Sequence, residues 1–447
     1  MTRTLIQNLR TTLETPIMVE GWVSGRRDQG KLVFFDIRDR SSSIQTVVLP
    51  GSAAFENAKQ VRAECIVRFE GIAHLRPEKN RNLEITNGDI EVEITELTIL
   101  SKPIDIPFEL DADLNIDTYL DHLPFTLRSE KARHLFALQA TIITAFREAL
   151  RKEDFTEFQA PALVGADAEG GAAAFAVDYY YDKKAFLATS PQFYKQIMVG
   201  VFERAFTTPH VFRGEKHATT RHLSEYASLD FEMGFIKDHY DVMHVLDKVI
   251  RHIVEKLGKD HADTFALFGA ELPSIPEHIP VLTLQEAQEI LEAQGIAARG
   301  EPDLEPEHER QLCAWALKEH ASDFLFITHY PVSKRPFYTY EDEATPGFTK
   351  SFDLLFRGLE ITTGGQRVHE YETLVQKILQ KGLKPEQFSY YLQAFKAGMP
   401  PHGGCATGLE RLTARMLNVQ NVKEATLFPR DLNRIDILLS EQESTES

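Results

Sequence analysis

Along residues 1–100, apolar residues, many of them β-branched or aromatic, alternate with polar ones in five short runs: IMVEGWVSG, KLVFFDIRD, SIQTVVLP, ECIVRFEGIAHL and IEVEITELTIL. A period of two over such lengths belongs to half-buried strands, and the Gly, Asp, Ser and Asn between the runs supply turns, so this region predicts a small five-stranded barrel. Pro103, Pro107 and Pro124, set among many acidic residues, mark residues 101–128 as a linker. From residue 129 the period changes, and Leu135, Leu138, Ile142 and Phe146 fall on one face of an amphipathic helix. Strand-like runs follow (FTEFQAP, AFAVDYYY, KAFLATS, HVFRGE, ASLDFEMGF, SFDLLF and LEITT), with helical stretches around 239–257, 284–294 and 306–320. The chain is therefore predicted to be α+β: the barrel, then over 129–447 an antiparallel sheet flanked by helices. Residues around 237–330 read as a helical insertion with no recognisable chemistry.

Composition narrows the class. At 447 residues, 43% hydrophobic and 26% charged, the chain is an ordinary globular protein of two or three domains. Its net charge of −18 argues against non-specific binding to nucleic acid or anionic membranes. The barrel is the exception, with 13 Lys+Arg against 14 Asp+Glu in residues 1–100, so its neutrality leaves room for a local basic patch. That suits an OB-type barrel which stacks bases on aromatics, as well as a purely structural β-domain. Three scattered cysteines support neither disulfides nor a zinc site and point to a reducing cytoplasm. No signal peptide and no run of about 18 apolar residues is present, so no membrane association is expected.

Four segments carry candidate chemistry. In HVFRGEKHATTRHLSEYASLDFEMGF, strand alternation puts Arg213 and Glu215 on one face and Asp230 and Glu232 on another. Surface salt bridging would explain these charges, as would an Arg213 fork on a phosphate with Arg221 and His222 wrapping a polyanion. In SFDLLFRGLEITTGGQRVHEYE, Arg357-Gly358 suits a two-residue hairpin turn that pairs Leu355 with Glu360, which brings Asp353 and Glu360 to the same face. Two such acids are either solvent-exposed or share a hard cation such as Mg²⁺. Arg367 follows the TTGG segment, read as a glycine turn, where it could meet an anion. MPPHGGCATGLERLTARML runs through glycines into a helix with Arg411 in its first turn, a natural anion site that matches neither a P-loop nor a Rossmann fingerprint. SPQFYKQ adds two amides and a lysine.

Together these segments resemble the aspartyl branch of the class II aminoacyl-tRNA synthetases, the subgroup with an N-terminal OB-fold anticodon-binding domain. TEFQAP, ending at Pro161, resembles the family's motif 1, FRGE and ASLDFEMGF its motif 2, and GLERL its motif 3, in the family's order. The resemblance implies a class II catalytic domain with Arg213 and Arg411 on the ATP α- and γ-phosphates and Glu215 on the adenine amino group. Arg221, His222, Leu223, Tyr226, Glu360 and Gly408 would complete the ATP site. Asp353, Glu360 and Thr363 would hold Mg²⁺. Aspartate would meet Gln192 and Lys195 of SPQFYKQ, Arg367, Asp230, Glu169, Ser190 and Thr363. Two substrate carboxylates and one ammonium need at least two cations and an anion, which Lys195, Arg367 and Asp230 supply. In the barrel, GWVSGRRDQGKLVFFDIRDRSSSIQ resembles the family's anticodon platform, implying that Phe34 stacks on a base, Gln45 reads one and Arg27 contacts the anticodon. Phe35 alternates to the core side.

The resemblance implies ATP-dependent attachment of L-aspartate to tRNA(Asp), with tRNA(Asn) as a second acceptor in some members. Ser24 stands in the barrel loop where that choice is influenced. It further implies a homodimer with Pro161 near the two-fold axis. An asparaginyl enzyme is opposed by Lys195, a tRNA-independent amide-forming relative by the intact barrel, and an inactive RNA-binding protein by the presence of Arg213, Arg411 and the acidic pair.

Overall fold

A computed structural model describes residues 1–82, 87–165, 174–216 and 219–439. It divides into two units, Met1–Glu109 and Leu110–Ser447. In the first, β1 (Pro16–Gln29), β2 (Leu32–Arg38), β3 (Ser43–Val48), β4 (Ile66–Leu75) and β5 (Ile90–Ser101) close in the order β1-β2-β3-β5-β4. Alternate residues of each strand, among them Val19, Phe35, Ile44, Val67 and Val92, fill the interior. Ser24 lies inside β1, not in a loop. It is the extra residue of a β-bulge, since Val23 pairs with Ile37 and Gly25 with Asp36.

In the second unit, short strands β6 (Thr156–Glu157), β7 (Leu163–Val164), β8 (Ala176–Tyr179) and β9 (Lys183–Leu187) precede β10 (Arg204–Thr207), β11 (His210–Phe212) and β12 (Glu225–Gly234). They are followed by β13 (Val281–Thr283), β14 (Phe324–Thr328), β15 (Ser351–Phe356), β16 (Leu359–Arg367) and β17 (His402–Gly408). A nine-stranded sheet runs β13-β14-β15-β16-β17-β12-β10-β6, with β11 paired to β12. The prediction of an antiparallel sheet holds in its centre, whereas the pairs β6/β10 and β13/β14 are parallel.

One face of this sheet is apolar. Leu229, Phe231, Cys405, Phe352 and Leu354 pack there against the helices Glu130–Lys152 and His239–Asp260. Both helices bury whole stripes, which is the 3.6-residue period seen in the sequence. The region around 237–330 is not a separate appendage. It contributes the second of those helices and two sheet strands, and its helices Leu284–Ala293 and Pro306–His320 cover the β14–β15 end.

Two further sequence readings change. TTGG is not a turn, for β16 runs straight through it. Gly364 is there because a Cβ would lie 2.4 Å from the Phe352 ring and 2.7 Å from Cys405. Arg213 and Glu215 lie beyond the end of β11 rather than within it, in the loop that follows Phe212.

Candidate active site

The polar face of the sheet carries the site. Registers across β15, β16, β17 and β12 align Asp353, Thr363, Ala406 and Asp230 in one row, and Ser351, Gly365, Gly404 and Glu232 in the next. Residues two apart on a strand share a face, so Ser228, Asp230 and Glu232 stand together with Gly408, Ala406 and Gly404 beside them. A β-bulge at Ile361 keeps Glu360 and Thr363 on this face, since Leu355 pairs with Glu360 and Leu354 with Thr362. The turn before it is the two-residue hairpin expected, with φ 46° at Arg357 and 79° at Gly358.

A cleft opens on this face. Its walls include Arg213, Glu215, Arg221, His222, Leu223 and Tyr226 from the loop after β11 and the start of β12, and Glu360, Thr363, Gly408 and Arg411 from β16, β17 and the helix after it. All nine residues expected at an ATP site therefore meet in one cavity. The guanidinium of Arg213 stands 5.6 Å from the Tyr226 ring centre. Arg411 donates to the Glu360 carbonyl at 3.1 Å. Glu410, which the sequence reading passed over, also lines the cleft and accepts the Ala227 N–H at 3.0 Å. Burial pushes its carboxyl up to about 7.

Deeper on the same face lies a buried charge array. Lys195, 1% exposed and carried by the helix Gln192–Phe202, donates to Asp230 at 2.8 Å and to the Cys405 carbonyl at 3.0 Å. Its Nζ is also 3.5 Å from Glu232. Arg367 donates to Glu232 at 2.8 Å and to the Gly404 carbonyl at 2.9 Å. Burial alone would raise the Glu232 carboxyl, but Arg367 and Lys195 more than offset this and hold it below the ordinary range. Position 404 must be glycine, as a Cβ would sit 2.2 Å from a Glu232 carboxylate oxygen. Glu232 was legible as a partner of Asp230 by alternation, yet its role between both cations emerges only from the packing.

The second amide of SPQFYKQ, Gln196, acquires a role here, together with His402, which the sequence did not single out. Gln192 donates to Gln196 at 3.0 Å, and Gln196 meets His402 Nε2 at 2.9 Å. His402 Nδ1 faces the Pro400 carbonyl at 2.8 Å, so it is the donor there and Nε2 accepts from Gln196. Burial depresses the His402 pKa to about 4, in keeping with that neutral tautomer. The chain fixes the Gln192 amide with its oxygen directed away from Gln196. Ser190 accepts the Gln192 N–H at 3.2 Å. Glu169 lies outside the described residues.

Asp353 and Glu360 do share a face, and Glu360 adds to the effect of burial in pushing the Asp353 carboxyl up to about 6, against Arg335. Arg335, missed in sequence, donates to Asp353 Oδ2 at 2.8 Å, while Oδ1 is buried without a hydrogen-bond partner. Thr363 donates to Glu360 at 2.9 Å. Thr363 thus orients Glu360 within the cleft wall. An orphaned carboxylate oxygen on the same sheet face as a second acid is a donor set that fits a hard divalent cation. Among the described residues no group of three or more His, Cys, Asp or Glu side chains could hold a metal, so such a cation would rest on these two carboxylates and on ligand phosphates.

On the barrel, Phe34 pairs with Arg27 and Asp36 with Gln45, so all four share the outer face. Arg27 bonds Asp36 at 3.0 Å, Phe34 is half-buried, and Phe35 is 1% exposed in the core. Arg76, another residue the sequence did not single out, donates to the Gln45 side chain.

This geometry has counterparts. Residues 115–432 match the family model for class II tRNA synthetases (D, K and N), and residues 17–100 that for an OB-fold nucleic acid binding domain. The chain belongs to the class II aminoacyl-tRNA synthetases, ligases that use ATP. An aspartate–tRNA(Asp/Asn) ligase of Thermus thermophilus is 44% identical over 97% of this chain and 99% of that protein. An aspartate–tRNA(Asp) ligase of Pyrococcus abyssi is 36% identical over 94% and 95%. Within the class, then, the chain belongs to the aspartate–tRNA ligase family. In the solved structures, asparaginyl-tRNA synthetase from Pyrococcus horikoshii complexed with asparaginyl-adenylate superimposes with a TM-score of 0.89 at 28% identity, covering 97% of this chain and 99% of that one.

Proposed function

We propose that the chain activates L-aspartate with ATP and transfers it to both tRNA(Asp) and tRNA(Asn). The observation that carries the amino-acid specificity is the buried array of Lys195 and Arg367 against Asp230 and Glu232. Two fixed cations suit a substrate with two carboxylates, and an asparagine amide would give up a charged contact with them, a mismatch that in a polar pocket costs roughly 10⁴–10⁵ in discrimination. Despite the resemblance in fold to an asparaginyl enzyme, Lys195 supports the aspartate reading. Charging of both tRNAs is supported by the Thermus thermophilus relative, whose name carries both acceptors.

Arg213 and Arg411 grip the α- and γ-phosphates, with Arg221, His222 and Gly408 beside the polyphosphate. Glu215 reads the adenine amino group, and Tyr226 and Leu223 flank the base. Asp230 and Glu169 attract the amino acid's ammonium group, while Gln192 reaches the substrate and Ser190 lines the same pocket. Asp353 and Glu360, with Thr363 bracing the latter, would hold Mg²⁺, which when bound neutralises phosphate charge. An aspartate α-carboxylate oxygen attacks the α-phosphorus in line, the bond to the β-phosphate oxygen breaks, and diphosphate leaves. The terminal ribose hydroxyl of tRNA then attacks the adenylate carbonyl and AMP departs. Positioning and electrostatics suffice, with no protein nucleophile. Phe34, Gln45 and Arg27 form the anticodon platform.

The chain works as a homodimer with Pro161, which is exposed, near the two-fold axis. It acts in the cytoplasm, a reading supported by three free cysteines. No helix among the described residues is long and apolar enough to cross a membrane. The test is to offer labelled aspartate and labelled asparagine to transcripts of both tRNAs. Aspartate on both is expected. Aspartate on tRNA(Asp) alone overturns the double range, and charging with asparagine overturns the aspartate assignment.

A further inference from the structure

The helix Pro306–His320 carries charged residues of two kinds. Glu307 and Arg310 pair with each other in solvent. Glu309 is instead 5% exposed and points toward the sheet. Its Oε2 accepts Arg221 Nη2 at 2.5 Å and the backbone N–H of Glu360 at 3.2 Å. One buried carboxylate thus ties the loop after β11 to β16, two walls of the cleft that are far apart in sequence.

A carboxylate taken out of water is costly unless its partners repay it. Apart from this contact, Arg221 is held by its backbone N–H on Thr219 at 3.2 Å, and its side chain lines the cleft. A long cation on a polar loop loses substantial rotamer entropy when it is fixed. Glu309 accepts that cost in the free protein, leaving the guanidinium oriented before any phosphate arrives, which is preorganisation in the ordinary sense.

We propose that Glu309 is a positioning residue for ATP: it holds Arg221 at the polyphosphate end of the cleft and steadies the Glu360 backbone, making the 237–330 region part of the nucleotide site. This rests on the reading of the cleft as the ATP site given above. The proposed residue acts through Arg221 and touches no substrate itself.

The test uses the full chain in aspartate-dependent ATP–diphosphate exchange, with the ATP-induced rise in melting temperature as a second readout. Glu309→Gln should raise KM for ATP about tenfold while kcat and KM for aspartate stay within about twofold. Glu309→Asp should recover part of the loss, which a merely structural role would not produce. Arg221→Gln should raise KM for ATP by a similar factor, and the double variant should be no worse than the poorer single one. Unchanged KM for ATP in Glu309→Gln, or full additivity with Arg221→Gln, overturns the proposal. If Glu309→Gln does not fold, an unchanged KM for ATP in Arg221→Gln overturns it alone. Absence of exchange in the unmodified protein would instead defeat the functional reading, and the ATP-induced melting shift would still report on Glu309.

Discussion

At the residue scale, the site depends on charges kept out of water in matched sets. Lys195 has two acids and a carbonyl around it at 1% exposure, so its loss leaves Asp230 without a cationic partner, while Glu232 keeps Arg367. Breaking a buried pair costs about 3–5 kcal/mol. Lys195→Leu should therefore lower aspartate-dependent exchange roughly a thousandfold or more, with tRNA binding unchanged. Exchange within tenfold of the unmodified protein would remove Lys195 from the pocket. Glu410 behaves in the opposite sense. Burial raises its pKa from 4.5 to about 7, with Glu225 pushing the same way and the Ala227 N–H opposing, so the folded state favours the protonated acid. Its contribution to stability is present below about pH 4.5 and is lost as pH rises toward 7. Glu410→Gln should flatten that decline, gaining on the order of 1–3 kcal/mol at pH 8 relative to pH 5 when melting is followed against pH. An identical pH slope in the two proteins would show that Glu410 is not the group responsible.

At the scale of elements, two single-residue bulges decide which side chains meet. The bulge at Ser24 turns Arg27 to the outer face opposite Phe34. Without it, strand alternation would send Arg27 inward, because a one-residue slip reverses every side chain that follows. The bulge at Ile361 does the same for Thr363 and Glu360. With Phe34 on that outer face, Phe34→Ala should raise KM for tRNA by about tenfold or more, given that one stacked base contributes about 1–3 kcal/mol. Diphosphate exchange, which needs no tRNA, should be unaffected. A uniform loss in both assays would mean that Phe34 serves barrel stability instead.

At the scale of the whole molecule, the sheet keeps apart two tasks that the sequence interleaves residue by residue. Leu229, Phe231 and Met233 of β12 enter the core while Ser228, Asp230 and Glu232 face the site, so stability and chemistry are carried by alternate side chains of the same strand. The short strand β6 and the exposed Pro161 after it mark the surface proposed for the two-fold contact. Sedimentation at micromolar concentration should report a dimer, and Pro161→Gly should shift it toward monomer. A monomer from the unmodified chain would end that assignment.

The sequence by itself determined the barrel, the order of the strands that carry the site and the hairpin at Arg357-Gly358, which follow from local periodicity and turn chemistry and survive without knowledge of packing. Most side chains of the nucleotide cleft were also named from sequence, several of them, such as Leu223, Tyr226 and Gly408, only through the family resemblance. Tertiary structure alone decided that TTGG is a strand crossed by the Phe352 ring and that Glu232 bridges Lys195 and Arg367. It also decided that Glu309, Arg335, His402 and Arg76 stand behind the expected residues. Each of these is a polar side chain whose partner is distant in the chain, and its pairing is fixed by burial, on which no local pattern in the sequence reports.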